Sequence, residues 1–358
     1  MRLLFPVLLF LSALLPSLRA AAVEEAYSSA TVWNGVTVDD SGRVFVIFPR
    51  MEGGEGVRLA ELGPGGAPRA YPDAAWNAWK PGDDPAKAFV HVNAARIGPH
   101  GELWVVDTGT PGFGAAVVPG GAKVVVIDVA KNRVIRVYPL GKEAVGPHGY
   151  ADDIRFHGSV AYLTDAGVPG LVVLDLKTGK TRRVLDRAPS TTARRAMTGE
   201  GKPLQTADGK EVRIHADQLE VSPDGEWLYF QAACGPLYRL ATRYLDDVFL
   251  DARALEAHVE KWVDTPATGG TAIDAAGNLY VSDVDRQRVL KIDPQGRVTT
   301  LLEDPRLLWV DAMWIDNRGF LWMPAAQINR LAPFQAGTDR VERPLRLFKA
   351  QIGARPSR

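Results

Sequence analysis

"IHADQLEVSPDGEWLYFQAACG", residues 214–235, decides the fold. An acidic residue, Asp217, stands just ahead of a short alternating run that ends at Val221. The chain then turns at Ser222-Pro223-Asp224-Gly225 and resumes as Trp227-Leu228-Tyr229-Phe230. Alternation on both sides of a Gly-containing turn reads as two antiparallel strands.

Five relatives of this stretch recur along the chain. They are "WNGVTVDDSGRVFVIFPR" from Trp33, "HVNAARIGPHGELWVVDTG" from His91 and "YADDIRF-HGSVAYLTDAG" from Tyr150, the hyphen marking a one-residue gap. Two more are "GGTAIDAAGNLYVSD" from Gly269 and "VDAMWIDNRGFLWMP" from Val310. The turn glycines are Gly42, Gly101, Gly158, Gly225, Gly277 and Gly319, at spacings of 59, 57, 67, 52 and 42 residues. Propeller blades run ~40–50 residues, so these units are slightly long but of the right order.

The segments behind these pairs read as further hairpins. "AKVVVIDVAKNRVIRVYPL" turns at Lys131-Asn132, "GLVVLDLKTGKTRRVLD" at Thr178-Gly179, and "QRVLKIDPQGRVTTLLE" at Pro294-Gln295-Gly296. Four strands per unit, repeated six times, predict an all-β, six-bladed β-propeller spanning residues 23–358. A pair of β-sandwiches does not repeat one hairpin signature at blade-like intervals. Two connections depart from the repeat. The stretch from Arg187 to Arg213 is long, and "KPLQTADGKEVRI" within it predicts a hairpin turning at Asp208-Gly209. Thr242 to Trp262 carries Leu245, Val248, Phe249, Ala252 and Leu255 at helical spacing, predicting a connector helix packed on a blade.

Composition narrows the partners. The chain has 358 residues and 42 basic against 42 acidic side chains, so no net positive field points to nucleic acid. Arg2, the apolar run Leu3 to Leu15 and Ala20-Ala21-Ala22 read as a signal peptide over residues 1–22. A secreted or periplasmic protein is expected, with no transmembrane segment after signal removal. The run is shorter than the ~20 residues that span a bilayer. Cys234 is the single cysteine, so no internal disulfide can form, and a buried structural thiol is expected.

The candidate site follows from the repeat. Counting eight residues back from each turn Gly reaches Asn34, Asn93, Asp217, Gly269 and Asp311, and the gapped third copy adds Asp152 with Asp153 beside it. All inner strands converge on one axis, so these side chains should ring the channel mouth. Several carboxylates aimed into one channel repel unless a cation, a ligand amine or a retained proton compensates. Carboxylate and amide oxygens suit a hard cation such as Ca²⁺, for which Asn93, Asp152, Asp217 and Asp311 would be the ligands. Asp152, Asp217 and Asp311 are the candidate catalytic carboxylates, with His215 an acid–base partner. Asn34, Asn93 and Asp153 offer polar contacts, and Trp33 and Trp309 an aromatic wall. His91 and His148 stand in matching approaches to the ring. A second set six or seven residues after the Gly, including Asp107, Asp165 and Asp283, reads as strand-to-turn Asx chemistry. No HExxH, Cys/His cluster, G-x-S-x-G or P-loop is present.

"AYLTDAGVPGLVVLDLKTGKTRRVL", residues 161–185, resembles the Yellow/major royal jelly protein family, with its recurrent T-D-[SA]-G…G-L-[IV]-V-x-D-L segment. "DGKEVRIHADQLEVSPDGEWLYFQAACGPLYRL" and "LLEDPRLLWVDAMWIDNRGFLWMPAAQINRL" are similar to segments of its bacterial members, in the same order. The resemblance implies a secreted six-bladed propeller. Insect members are tied to dopachrome conversion, to binding of small aromatic amines, or to nutritive roles. Bacterial members are described as dopachrome-tautomerase-related or gluconolactonase-like. Gluconolactonase-type propellers, which are more distantly similar, use a Glu, Asn and Asp ring to hold a divalent metal. Here Asn34 replaces the acidic residue of the first blade, and Asp217 stands where that pattern has Asn. The expectation is a propeller that binds or isomerises a small aromatic or amine-bearing molecule at its channel mouth. The alternatives are a metal-dependent lactonase and a non-catalytic binding or scaffold propeller, its protein partner unknown.

Overall fold

Each of the six turn glycines takes up positive φ, between 54° and 89°. Only a residue without Cβ adopts this geometry without cost, so the repeated Gly marks where each inner hairpin reverses. The computed structural model describes residues 22–51 and 53–357. The leader read from the sequence lies, apart from Ala22, outside the described residues.

Six four-stranded antiparallel sheets are arranged as blades, and the chain is a six-bladed β-propeller. From the axis outward, the first blade is Gly35–Val38, Val44–Ile47, Leu59–Leu62 and Pro68–Ala70. The second is Val92–Ile97, Leu103–Asp107, Lys123–Asp128 and Arg133–Pro139. The third is Ala151–His157, Val160–Asp165, Gly170–Asp175 and Thr181–Val184. The opening stretch forms the inner pair of the fourth, Ala216–Val221 and Trp227–Ala232, followed by Leu237–Ala241 and Glu260–Val263. The fifth is Thr271–Ile273, Leu279–Asp283, Arg288–Ile292 and Val298–Glu303.

The sixth blade differs from the expectation that each unit supplies its own outer strand. Trp314–Ile315, Phe320–Ala325 and Leu345–Gln351 are completed by Glu24–Ser29 from the other end of the chain. Glu24 pairs with Lys349 and Ser29 with Leu345. Closing the last blade with the first strand joins the two ends of the chain and covers an edge that would otherwise lie open.

The core lies between blades. Val106, Val124, Leu163 and Val172 belong to one cluster joining the second and third blades, all fully buried. Cys234 is buried in the cluster that joins the blades around the upper end of the axis, as expected of a structural thiol.

The connector from Thr242 to Trp262 is not one helix. It forms α1 (Thr242–Asp246) and α2 (Ala252–Glu256), and its last residues enter the outer strand of the fourth blade. Leu245 and Leu255 are buried, but Val248 and Phe249 are exposed, Phe249 by 93%. Two Asx contacts break the helix: Asp247 Oδ1 accepts from Phe249 N and Asp251 Oδ1 from Ala254 N. The hairpin expected near Asp208-Gly209 is present in short form: Gly209 N donates to Thr206 O, Thr206 N to Lys210 O and Val212 N to Leu204 O, and an antiparallel bridge pairs Gln205 with Glu211.

Candidate functional site

The inner strands of the second, third and fourth blades lose regular pairing where the ring residues sit. The register shifts between Val92 and Ala94, between Ala151 and Ile154, and between Ala216 and Leu219. Such bulges re-aim the side chains they contain. Asn93, Asp152 and Asp217 thereby face the axis.

The residues at the ends of the second strands fix the loops that deliver them. Asp107 accepts from Val90 N, His91 N and Gly109 N, and receives Lys123 Nζ at 2.6 Å. Asp165 accepts from Tyr150 N and Val168 N and pairs with Arg183 at 2.8 Å. Asp283 accepts from Arg286 N and pairs with Arg288 at 2.8 Å. Each is Asx chemistry, as the sequence suggested, reinforced by a cation that the sequence did not suggest, from the third strand for Asp107 and Asp283 and from the fourth for Asp165.

The six strand starts meet at one cavity of about 300 Å³, where Asn34, Asn93, Asp152, Asp217, Gly269 and Asp311 form the floor. Asn34 Nδ2 donates to Asn93 Oδ1 at 3.0 Å, and Asn93 Nδ2 donates to Asp152 Oδ1 at 2.9 Å. Gln218 Nε2 donates to Asp217 Oδ2 at 2.8 Å. Asp311 accepts from Trp309 Nε1 at 3.1 Å and from Ala312 N at 2.8 Å. The three carboxyl groups line both the cavity and a small adjoining void of about 20 Å³ that Arg96 and Asp153 also border. Burial, and then the negative charge of its neighbours, pushes Asp152 well above the usual carboxylate range, and Asp311 likewise. Burial raises Asp217 from 3.8 to about 7, although a hydrogen bond with Asp152 works the other way. The floor therefore holds protons to higher pH than free carboxyls do.

Apart from His148 and Trp309, walls and rim come from residues the repeat did not flag. Phe113 and Phe334 lie in contact, ring centroids 4.7 Å apart, and Met51, Ile214 and Ile328 extend the apolar wall. The Tyr150 hydroxyl lies 2.9 Å from Asn93 Oδ1 and 3.1 Å from His91 Nε2. His91 is fully buried and neutral, burial lowering it to about 3. His148 lines the mouth, and Arg213 and Ile214 are brought there by the long connection after the third blade. The signal for Tyr150 was its place two residues before Asp152; nothing in the sequence tied Phe113 or Phe334 to the axis.

Three expected contributors do not face this cavity. Trp33 is 1% exposed and stacks on Phe48 in the core. His215 accepts from Ala193 N through Nδ1 at 3.1 Å, which ties down a loop. Asp153 points down the channel, because the bulge sends it and Asp152 to different levels. Arg96 binds it bidentately at 3.0 and 2.5 Å, and Arg155 meets it at 2.9 Å. Burial opposes its ionisation, yet Arg155 and Arg96 hold it well below the usual carboxylate range. Arg155 also grips Glu220 at 2.7 Å through both Nε and Nη2, and Thr271 Oγ1 donates to Glu220 at 2.9 Å. This ionic plug separates the cavity from the opposite mouth, an opening of about 420 Å³.

Gly269 is the one ring position without a polar side chain, and the space explains it. A Cβ there would meet Val310 O at 2.5 Å and the Trp309 indole at 3.1 Å. Trp309 is itself held at φ 52°, a strained conformation for a bulky residue. Gly269→Ala is expected to displace the indole from Asp311 and destabilise the fold by about 1–3 kcal/mol. Urea unfolding together with the Trp emission maximum checks this; unchanged emission and stability would contradict it.

A divalent cation does not suit the floor in this arrangement. Asn93 turns its N–H, not its oxygen, toward Asp152, and its Oδ1 is already engaged. Among the described residues no three Asp, Glu, His or Cys side chains are grouped to hold a metal.

A family model described as "Major royal jelly protein" matches residues 92–352. No curated protein matches the sequence. Similar solved structures include a gluconolactonase from Xanthomonas campestris, 14% identical, covering 92% of this chain and 89% of that one with a TM-score of 0.56. A luciferin-regenerating enzyme is 13% identical over 94% of this chain and 97% of its own, TM-score 0.58. A streptogramin B lyase is 12% identical over 92% and 97%, TM-score 0.51. At these identities the likeness is one of fold.

Proposed function

The chain belongs to the major royal jelly protein family, and from that membership and its axial cavity we propose that it is an exported protein that binds a small aromatic molecule bearing an amine. One observation carries the reading: three buried carboxyls, each raised above the usual carboxylate range, form the floor of a cavity whose walls are apolar and aromatic. An ammonium group set among them supplies the missing counter-charge and donates charge-assisted hydrogen bonds to the carboxylates. Phe113, Phe334, Tyr150 and Trp309 offer faces to the aromatic body.

The same floor supports a second reading, isomerisation. Burial raises both Asp152 and Asp217 above the usual carboxylate range, Asp217 to about 7, which sets two coupled carboxyls on the floor. One can take a proton from a bound ligand while the other returns one, which relocates a double bond without any net change of atoms. Metal-assisted lactone hydrolysis draws no support from the donor arrangement described above.

Titration calorimetry with tyramine and with 4-ethylphenol, its analogue with hydrogen in place of the amino group, tests the binding reading. Tyramine is expected to bind saturably and at least about tenfold more tightly than the phenol. Equal affinities, or no saturable heat from tyramine, would overturn it. Export is tested separately, by fractionating cells that express the full chain.

A further inference from the structure

Arg50 and Arg58 flank the loop that runs from the second to the third strand of the first blade. They are 5% and 4% exposed. A buried guanidinium is ordinarily matched by a carboxylate, because an unpaired buried charge is expensive. Neither has such a partner among the described residues. Arg50 donates to Trp79 O at 3.2 Å and lies over the Trp79 ring, 5.2 Å from its centroid. Arg58 donates to Gly54 O at 2.6 Å. The Nε of each is buried and donates to nothing. Two carboxylates act on Arg50 from a distance: Asp107, already committed to Lys123 and three backbone N–H groups, and the exposed Glu55, which pairs with Lys80. Burial lowers both arginines, Arg58 to about 10, with the neighbouring Arg50 charge adding to the effect on Arg58. Both stay charged at neutral pH.

We propose that Arg50 and Arg58 form a binding site for a small oxyanion, a carboxylate or a tetrahedral phosphate or sulfate, between the first two blades. Their vacant Nε donors and fork geometry match such oxygens. The site stands behind the cavity wall, since Met51 follows Arg50 and Thr110 contacts His91, but it does not depend on what the cavity binds.

Calorimetry of the full chain with phosphate, sulfate and acetate, at constant low ionic strength, tests the assignment. About one equivalent of at least one of these anions is expected to bind, and Arg50→Met and Arg58→Met should each weaken it at least tenfold. Thermal unfolding gives a second readout. Without oxyanion, Arg58→Met should unfold no earlier than the wild type, because it removes an unmatched buried charge; with saturating anion the order reverses. No saturable binding by the wild type, or affinity unchanged in both variants, overturns the proposal. If one variant fails to fold, the wild-type stoichiometry and the other variant still decide it.

Discussion

Replacing Arg155 by Met lowers the stability of the fold by about 3–5 kcal/mol. Arg155 binds Glu220 through two nitrogens and Asp153 through a third, so its loss leaves carboxylates from two blades facing each other. Arg96 retains Asp153, but Glu220 keeps only the Thr271 hydroxyl. The cost therefore lies mainly in an orphaned Glu220. Arg155→Met combined with Glu220→Gln should recover a large part of it, because the second change removes the stranded charge. The sign with pH is also set. In the wild type Asp153 is held below its unfolded value, so its contribution is present above the unfolded pKa and fades only in strong acid. In the variant the stranded carboxylates favour protonation, and the gap from wild type narrows as pH falls toward 4. Urea unfolding at two pH values measures both; a loss below about 1 kcal/mol would mean that the plug fills space without holding the blades.

Asp217→Asn is expected to separate binding from stability. Removing one charged partner of an enclosed ion pair costs about 2–5 kcal/mol of binding, so tyramine affinity should fall by ~30-fold or more. The fold should not weaken at neutral pH. The folded-state value of Asp217 is raised from 3.8 to about 7, so its contribution is complete below pH 4 and is lost as pH rises through 7. Asn has no proton to lose, and the corresponding decline in stability between pH 4 and 7 should disappear. An equal loss of binding and stability would make Asp217 a structural residue.

The blades were legible because alternation and a Gly at positive φ are local properties, written six times. The strand starts were legible for the same reason: an offset of eight residues from that Gly reaches Asn34, Asn93, Asp217 and Asp311, a shorter one in the third copy reaches Asp152, and these do meet at one cavity. What escaped depends on distant contacts. Glu24–Ser29 carries no alternation, and its role is set by where the sixth blade ends. Asp153 looked equivalent to Asp152 because a bulge adds no mark to the sequence, yet it sends the two to different levels. His215 sits two residues before Asp217 just as His91 does before Asn93, but only His91 turns inward to reach Tyr150. The stripe from Leu245 to Leu255 had the right spacing and still broke, because Asp247 and Asp251 bind the backbone instead.

Proton release on binding tests the central claim most directly. At pH 6 Asp217 is largely protonated, and a cationic amine seated beside it should drive that proton out. Tyramine titrated calorimetrically in two buffers of different ionisation enthalpy should release a proton, approaching about one per amine, with affinity that rises between pH 5 and 8. Binding without proton release, and with affinity flat across that range, would contradict the account.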